Sequence, residues 1–228
     1  MAFRKKAKYI MEYKPDILIV PECECPDKLK FFDSIETPTS IIWEGENLNK
    51  GLGVFSFGNY KLKLNETHNS SFKTILPVSV ENELIHIKLF AVWANNLKDP
   101  DGCYVAQVWK AINYYNDILL NEHCVLAGDF NSNSIWDKPK RLINHSSVVD
   151  HLASKNIIST YHDFNNQPHG KEKKPTMYLY RHKEKSYHLD YCFTSQNLLD
   201  KLTKVQVGTY KKWSKLSDHS PIIVSFDL

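Results

Sequence analysis

An α/β fold is predicted for this chain of 228 residues by the spacing of its apolar residues. Short apolar runs, which are typical of buried strands, alternate with longer segments in which apolar residues recur at helical intervals. Such alternation is typical of α/β proteins. Four of the apolar runs also adjoin an acidic residue, at positions 16–22, 124–131, 188–193 and 217–224. Because acidic residues at strand ends can meet at one edge of a sheet, these runs predict a shared site.

The amino-terminal half is predicted to form two helices and five strands. Apolar residues at helical spacing predict the helix over residues 2–13, and the segment Lys14-Pro15-Asp16 ends it. A short helix and loop are expected over residues 25–37. The strands are expected at residues 16–22, 41–43, 53–57, 75–80 and 85–93. Pro77 has no N–H to donate to a ladder, so its strand is expected at a sheet edge.

The carboxy-terminal half is predicted to begin with a long helix over residues 103–122, ahead of the strand that ends at Asp129. A second helix is expected over residues 146–155, with Ser146 or Ser147 as its cap. The other predicted elements are a hairpin of residues 178–180 and 188–193, a short helix at 196–202, and strands at 205–207 and 222–226. Neither a repeat nor a linker interrupts the pattern, so residues 1–228 are expected to form a single domain.

Composition and charge are those of an ordinary globular protein. The chain is 42% hydrophobic and 24% charged, and its net charge of +3 argues against a polyanion binder that is basic throughout. No stretch approaches the roughly 18 apolar residues of a membrane span, and no secretory leader is recognised. The five cysteines include no Cys-x-x-Cys pair, and Cys23 and Cys25 are open to either a structural or a soft-metal role. A cytoplasmic monomer without membrane contact is therefore expected.

Four short motifs follow one another in an order shared with one superfamily. They are Glu22 after an apolar strand, Gly-Asp-Phe-Asn at 128–131, Leu-Asp-Tyr at 189–191 and Ser-Asp-His at 217–219. Together they resemble the endonuclease/exonuclease/phosphatase superfamily, which includes exonuclease III-like and DNase I-like nucleases. The resemblance covers nearly the whole chain and implies a four-layer sandwich. In that fold two mainly antiparallel β-sheets pack face to face, with helices on the outside.

The resemblance also implies a role for each motif in the hydrolysis of a phosphoester. Glu22 and Asp218 would bind a divalent metal, for which Mg²⁺ is expected and Mn²⁺ is an alternative. Asp129 would orient or deprotonate the attacking water, while Asn131 would hydrogen-bond a phosphoryl oxygen as charge builds on it.

Asp190 and His219 are expected to act as a pair. The carboxylate of Asp190 would fix the tautomer of His219 and favour an imidazolium, which can stabilise the pentavalent phosphate. Thr176 is expected to form a hydrogen bond near this pair. The remaining histidines have no such context and are interpreted as structural.

Further residues are expected to contact the substrate. Asn95 or Asn96 would help to hold its phosphate. Trp93 stands where the exonuclease III-like branch has a tyrosine and many other members have a histidine, so it favours the first branch.

A basic segment precedes the strand that carries Asp190. Residues 171–185 contain six basic and two acidic residues, a net charge of +4, and are either a solvated loop or a rim that attracts phosphates. The basic side chains expected to bind the substrate are Lys173, Lys174, Arg181 and Lys183. The aromatic residues considered as platforms for base stacking are Tyr178, Tyr180, Tyr187, Trp136 and Trp213.

One departure from the superfamily pattern concerns the start of the chain. The superfamily opens with a core strand that ends in Asn-x-Asn, whereas a predicted helix comes first here. We therefore expect this chain to be a shortened form of a longer reading frame. A central strand buries apolar side chains at about 1.5–3 kcal/mol each, so the missing strand would add substantial stability.

The predicted function is metal-dependent hydrolysis of phosphodiester bonds, with DNA or RNA as the substrate. Two alternatives are open. One is a phosphatase or phosphodiesterase that acts on a small phosphoester or a lipid head group. The other is a catalytically impaired module of the same fold that only binds nucleic acid. A comparison of activity on DNA with activity on inositol phosphates distinguishes the first alternative from a nuclease. Activity that EDTA abolishes excludes the second alternative.

Overall fold

Short strands and helices alternate in the computed structural model, which describes residues 3–29, 36–72, 74–95, 104–121 and 123–228. The strands are β1 (Ile17–Cys23), β2 (Ser40–Asn47), β3 (Lys50–Ser56), β4 (Lys61–Leu64), β5 (Ile75–Glu81), β6 (His86–Trp93), β7 (Cys124–Asp129), β8 (Ile157–Ser159), β9 (Met177–Tyr178), β10 (Ser186–Tyr187), β11 (Asp190–Ser195), β12 (Leu202–Val207) and β13 (Ile222–Phe226). The helices are α1 (Ala7–Ile10), α2 (Val105–Tyr114), α3 (Asn116–Asn121), α4 (His145–Ala153), α5 (Thr160–Asn165), α6 (Gln196–Leu199) and α7 (Tyr210–Trp213).

The elements stack in four layers. A six-stranded sheet in the order β4-β5-β6-β7-β11-β8 packs one face against a three-stranded sheet in the order β1-β3-β2. Its other face is covered by α2, α3 and α4. The segment around α1 covers the outer face of the three-stranded sheet, where Phe3, Ala7 and Ile10 are buried. All strand pairs are antiparallel except β6–β7, so the predicted fold class, with two mainly antiparallel sheets between helices, is confirmed.

Strand β5 departs from the sequence prediction because it lies inside the sheet, between β4 and β6. Strand β4 ends at Leu64, which is opposite Val78, and the next residue donates its N–H to the carbonyl of Pro77 at 2.8 Å. The N–H and C=O of one strand residue point to the same side. The missing N–H of Pro77 therefore faces the end of β4, and no ladder bond to β6 is lost.

Several predicted boundaries also shift. The amino-terminal helix is divided into 3-10 turns at Phe3–Lys5 and Met11–Tyr13 on either side of the four-residue α1. The hairpin around the basic segment closes earlier than predicted, because β9 pairs with β10. The following strand β11 pairs instead with β7 and β8. The predicted helix over 103–122 begins at Val105, and Asn96 lies outside the described residues.

Strands β12 and β13 form a separate two-stranded sheet, in which β13 is an edge strand. Strand β1 is likewise an edge strand of its own sheet. Both edges line one cavity of about 1160 Å³, and within the described part of the chain no strand lies between them. None of the described helices is both long enough and apolar enough to cross a membrane.

Candidate active site

Three side chains from distant parts of the chain meet at one end of the six-stranded sheet. Asp129 ends β7, Asp190 begins β11, and the two residues are direct partners across the antiparallel pair. His219 lies just before β13, with its Nδ1 atom 2.9 Å from Oδ2 of Asp190. One ligand atom from each of these three residues lies within 4.8 Å of the other two. The structure thus brings together three of the residues that the sequence motifs single out.

Thr176 holds the backbone on which this group stands. Its buried hydroxyl oxygen accepts the N–H groups of Leu189 and Asp190, at 2.9 and 3.0 Å. Its carbonyl accepts the N–H of Ser220 at 2.7 Å, and the adjacent Met177 forms an isolated antiparallel bridge with His219. Thr176 therefore connects the segments that carry Asp190 and His219, and contacts neither side chain in the hydrogen bonds described.

The Gly-Asp-Phe-Asn motif has a local reason for each of its residues. Gly128 has a φ of +137°, and a Cβ there would lie 2.0 Å from the carbonyl oxygen of Val92, so only glycine lets β6 and β7 approach this closely. Phe130 is fully buried. Asn131 adopts a left-handed conformation with a φ of 47°, which asparagine tolerates better than most residues.

Both protons of the Asn131 side-chain nitrogen are held in hydrogen bonds. Its Nδ2 atom donates to Oδ2 of Asp129 and to the carbonyl of Ala94, both at 2.8 Å, and its backbone N–H donates to Oδ1 of Asp129. An amide nitrogen has two protons, so both are used. Donation to a phosphoryl oxygen would require one of these bonds to open, and in this arrangement Asn131 fixes the carboxylate of Asp129.

Burial and neighbouring charge perturb both titratable groups next to Asp190. Burial and the negative charge of Asp190 raise the pKa of Asp129 to about 8. Burial alone would lower the pKa of His219, but the charge and hydrogen bond of Asp190, with smaller effects of Asp129 and Asp218, raise it to about 10. Both pKa values are therefore raised, and a buried acid and a buried base with strongly perturbed pKa values are of the kind that cluster in active sites.

Glu22 reaches the same cavity from the other sheet. It lies in an irregular stretch of β1, where the pairing with β3 shifts between Val20 and Cys23, and its φ is 57°. Such a bulge redirects the side chain at a strand end. The carboxylate of Glu22 pairs with Lys50 at 2.8 Å, and the Lys50 ammonium lies 5.1 Å from the ring centroid of Trp93.

Two lysines of this site had no recognisable signal in the sequence. Lys50 contacts both Glu22 and Trp93, and Trp93 is the β6 partner of Asp129. Lys6 lies 3.4 Å from the hydroxyl of Ser217. Burial lowers the pKa of Lys6, although the charges of Asp218 and Glu22 oppose this effect. Lys50 stands between Asn49 and Gly51, and Lys6 stands between Lys5 and Ala7, so neither lies in a recognisable motif and their positions follow only from the fold.

The cavity suits a divalent cation. The carboxylates of Glu22, Asp129, Asp190 and Asp218 all line it, and hard cations such as Mg²⁺ prefer oxygen ligands. Two further oxygens that line it, Oδ1 of Asn95 and Oγ of Ser220, are buried without a hydrogen-bond partner. The pKa of Asp129 is raised by burial and then by the negative charge of Asp190, and a cation would offset that charge. The donor set therefore fits the metal that the motifs imply.

The basic segment stands apart from the cavity wall. The side chains of Lys173, Lys174, Arg181 and Lys183 are exposed and do not line the cavity. The base of their hairpin is nevertheless fixed to the site, because the N–H of Tyr178 donates to the carbonyl of Asp218 at 2.7 Å. Of the aromatic residues considered for base stacking, Tyr178 and Trp213 are buried and unavailable, whereas Tyr180 and Trp136 are exposed.

A second cluster of potential ligands lies outside this cavity. His162, His169 and Glu172 place one ligand atom each within 4.8 Å of one another. The His162 and His169 rings stack at 3.5 Å between centroids, and Nε2 of His162 lies 3.0 Å from Glu172. Stacked rings and an internal hydrogen bond indicate a packed polar network, as the sequence interpretation of these histidines expects. Among the described residues, no ligand group of this spacing includes a cysteine.

Comparison with known proteins shows the same fold in several nucleases. No protein-family profile and no curated protein matches the sequence. The 3'-5' exonuclease NExo from Neisseria meningitidis superposes with a TM-score of 0.70 at 15% identity, covering 100% of this chain and 96% of that one. An AP endonuclease from Archaeoglobus fulgidus superposes with a TM-score of 0.69 at 16% identity, covering 97% and 92%.

A third solved structure is named for the superfamily itself. The endonuclease/exonuclease/phosphatase family protein from Leptotrichia buccalis superposes with a TM-score of 0.63 at 16% identity, covering 99% of this chain and 92% of that chain. The chain therefore has the fold that the order of its motifs implies.

Proposed function

We propose that this chain is a metal-dependent nuclease that hydrolyses phosphodiester bonds of DNA or RNA. The observation that carries the proposal is the grouping of Asp129, Asp190 and His219 within 4.8 Å, at a cavity that Glu22 and Asp218 also line. The fold shared with an exonuclease and an AP endonuclease supports the same class of reaction. Fold alone does not determine the substrate, so the site must carry the argument.

Each residue of the site has a distinct task in this proposal. Asp129, held on both carboxylate oxygens by Asn131, orients the water that attacks phosphorus. Asp190 binds Nδ1 of His219 and leaves Nε2 as the ring nitrogen that can donate to the phosphate. A divalent cation held by Glu22 and Asp218 would supply positive charge for the phosphate oxygens. Lys50 and Lys6 add positive charge beside these carboxylates.

The basic segment, residues 171–185, favours a polyanionic substrate. Its net charge of +4 is larger than that of the whole chain, and its base is hydrogen-bonded to the segment that carries Asp218. Phosphates on either side of the cleaved bond would lie against Lys183 and Arg181, while the exposed rings of Tyr180 and Trp136 can stack on bases. A solved structure of NExo described as a 3' phosphatase bound to product DNA hairpin makes a terminal phosphate of DNA the second substrate to test.

The test compares substrates under one set of conditions. The purified chain is incubated with end-labelled single- and double-stranded DNA, RNA, a DNA with a 3'-phosphate, and an inositol phosphate, each with Mg²⁺, with Mn²⁺ and with EDTA. We expect metal-dependent cleavage of nucleic acid and little release of phosphate from the inositol compound. Activity confined to the inositol phosphate would instead favour a small-molecule phosphatase.

Two variants control for contaminating nucleases. His219→Ala removes the imidazole of the site, whereas His86→Ala removes an exposed imidazole at the start of β6. The first change is expected to abolish the cleavage and the second to leave it unchanged. Equal cleavage by both preparations would assign the activity to a contaminant and remove the support for the proposal.

A further inference from the structure

Positive charge gathers at a second place in the fold, on the segment around α1 and on α7. Residues 3–13 contain four basic residues and one acidic residue, and residues 210–216 contain three lysines and no acidic residue, so each has a net charge of +3. The two segments together carry twice the +3 of the whole chain. The remaining chain, including the basic segment at 171–185, is therefore acidic on balance.

The two segments pack against each other and form one surface. Trp213 of α7 is buried in the same apolar cluster as the α1 segment, and its ring stacks on that of Tyr13 with the centroids 6.4 Å apart. Nζ of Lys212 lies 2.7 Å from Oε2 of Glu12, a residue 200 positions away in the chain. Charges that are distant in the sequence are thus brought to one face of the molecule.

Four lysines of this face have no acidic partner. Two acidic residues of the region are engaged by other cations, because Glu12 pairs with Lys212 and the buried Glu24 pairs with Arg4. The four lysines are exposed, and none of them forms an ion pair with a described residue. These lysines, which together are called the α1–α7 surface, are Lys5, Lys8, Lys211 and Lys215. Like charges on one face repel each other, and a bound polyanion removes that repulsion.

The α1–α7 surface begins beside the candidate active site. Lys6, which follows the first of its lysines, has its Nζ atom 3.4 Å from the hydroxyl of Ser217 in the Ser-Asp-His motif. The helical segment then runs away from the site, because it ends at Tyr13, shortly before β1 begins its return toward Glu22. Residues 3–13 in α-helical and 3-10 turns cover roughly 16–22 Å, or about five or six base pairs at roughly 3.4 Å each.

The same surface is joined to the basic segment at 171–185. The hydroxyl of Tyr210 in α7 donates to the carbonyl of Arg181 at 2.8 Å, and the ring of Tyr210 lies 4.7 Å from that of Tyr178. Positive charge therefore continues from the basic segment across α7 to the α1 segment, alongside the active site. A continuous basic band on one side of a domain is the electrostatic footprint of a bound nucleic-acid backbone.

We propose that the α1–α7 surface binds the backbone phosphates of a nucleic-acid strand that continues about five or six nucleotides beyond the cleaved bond. The identity of the polyanion rests on the proposed function. The inference narrows the substrate of that function to a polymer, because a mononucleotide or another small phosphoester in the active site would leave the whole surface unused.

An anionic membrane suits this surface less well. Helices that bind a membrane surface insert an apolar face between the lipids beneath their basic residues. The apolar side chains of the α1 segment are instead buried inside the protein, where Phe3, Ala7 and Ile10 pack against Trp213. The lysines of the surface are left without apolar neighbours that could enter a bilayer.

The test measures binding of a labelled duplex of 24 base pairs, made of DNA and of RNA, in EDTA so that no strand is cut. The test variant replaces three lysines of the surface by Gln, at Lys8, Lys211 and Lys215. The matched control replaces three exposed lysines elsewhere by Gln, at Lys61, Lys201 and Lys204. At 0.1 M salt we expect the test variant to bind at least about tenfold more weakly than the control. Its slope of log affinity against log salt should be smaller by about 2–3.

Two further measurements separate a phosphate contact from damage to the active site. Turnover of a small chromogenic phosphodiester with Mg²⁺ or Mn²⁺ should be equal in the two variants, because such a compound reaches only the active site. In the wild-type chain, the bound duplex should protect Lys5, Lys8, Lys211 and Lys215 from acetylation but leave the three control lysines reactive. This footprint needs no substitution, so it stays decisive if a variant fails to fold.

Three results would overturn the inference. The first is equal affinity and equal salt dependence of the two variants for both duplexes. The second is a footprint that leaves the α1–α7 surface reactive. The third is protection of these lysines by phosphatidylserine vesicles and not by either duplex, which would assign the surface to a membrane. Failure of the proposed function is a separate outcome, because a chain that cuts no nucleic acid can still show the difference in binding and the footprint.

Discussion

The Nδ1 atom of His219 lies 2.9 Å from Oδ2 of Asp190, although the two residues are 29 positions apart in the chain. The fold brings them together by pairing β11 with β7 and by tying the His219 segment to Thr176 and Met177. The hydrogen bond to Asp190 fixes the imidazole of His219, and the negative charge of Asp190 raises the pKa of His219.

Asp190→Asn is expected to reduce the turnover of nucleic acid by about 10²–10⁴, because a positioned proton donor contributes rate on this scale. The amide keeps the shape of the side chain but not the charge that favours the imidazolium. Thermal unfolding of the variant measures any loss of stability separately. If Asp190→Asn retains the wild-type rate while still folded, the Asp190–His219 pair is not part of the reaction.

Glu22→Gln is expected to raise the Mg²⁺ concentration that gives half-maximal rate, because an amide is a weaker ligand for a hard cation than a carboxylate. The measurement is a titration of rate against free Mg²⁺. Glu66→Gln, which removes an exposed carboxylate on another loop, serves as the matched control. Identical metal dependence of the two variants would exclude Glu22 as a ligand, and full activity in excess EDTA would exclude the metal itself.

Replacement of Lys173, Lys174 and Lys183 by Gln is expected to lower the affinity for nucleic acid. The same change should make the affinity less sensitive to salt. Each lost phosphate contact should lower the slope of log affinity against log salt by about 0.7–0.9. The control removes the same charge from Lys61, Lys201 and Lys204, which are exposed on other strands and loops. If both triple variants bind nucleic acid with the same affinity and the same salt dependence, the basic segment is not a phosphate-binding surface.

Gly128→Ala is expected to destabilise the protein by about 3 kcal/mol or more. The new Cβ would clash with the backbone of the neighbouring strand, and the backbone φ is unfavourable for alanine. A Cβ at this position would lie 2.0 Å from the Val92 carbonyl oxygen, in rigid strand β6. Gly58→Ala is the control, since Gly58 also has a positive φ, of +68°, but no neighbouring atom within 4 Å. Denaturant unfolding should show that Gly58→Ala lowers the free energy of unfolding by only about 1 kcal/mol.

Two buried histidines, His145 and His169, are expected to lower the free energy of unfolding as the pH falls from about 6.5 to 4. Burial lowers the pKa of His145 to about 4 and that of His169 to about 3. The unfolded chain binds protons at these histidines near pH 6.5 while the folded chain does not, so the free energy of unfolding falls as the pH falls. For His145, this difference is worth about 2 kcal/mol between pH 6.5 and pH 5.

Denaturant unfolding at several pH values measures this slope, which should be smaller in His145→Gln. The matched variant His86→Gln changes an exposed histidine and should keep the wild-type slope. A wild-type slope in His145→Gln would contradict the burial of His145 in neutral form. The total slope is not the criterion, because the raised pKa of Asp129 favours the folded state as the pH falls.

The sequence by itself was sufficient for the class of fold and for three residues that meet in the site, Asp129, Asp190 and His219, but not for Lys50 and Lys6. Apolar periodicity is a local property, so strands such as β7 and β13 could be predicted close to their true positions. Polar and charged residues at either end of such strands are also visible locally, such as Asp129 at the end of β7 and Asp190 at the start of β11. For this reason Glu22, Asp129, Asp190, Asp218 and His219 could be named before their distances were known.

Only the tertiary structure decided which distant segments lie side by side. Contacts between distant segments decide three features of the site and its sheet, and local spacing does not encode such contacts. These features are the ion pair of Lys50 with Glu22, the two hydrogen bonds donated by Nδ2 of Asn131, and the interior position of β5. The cavity that the edges of β1 and β13 line belongs to the same class of property. An unpaired edge is defined by the absence of a neighbour in space, and a pattern of residues along one strand is the same whether or not that neighbour is present.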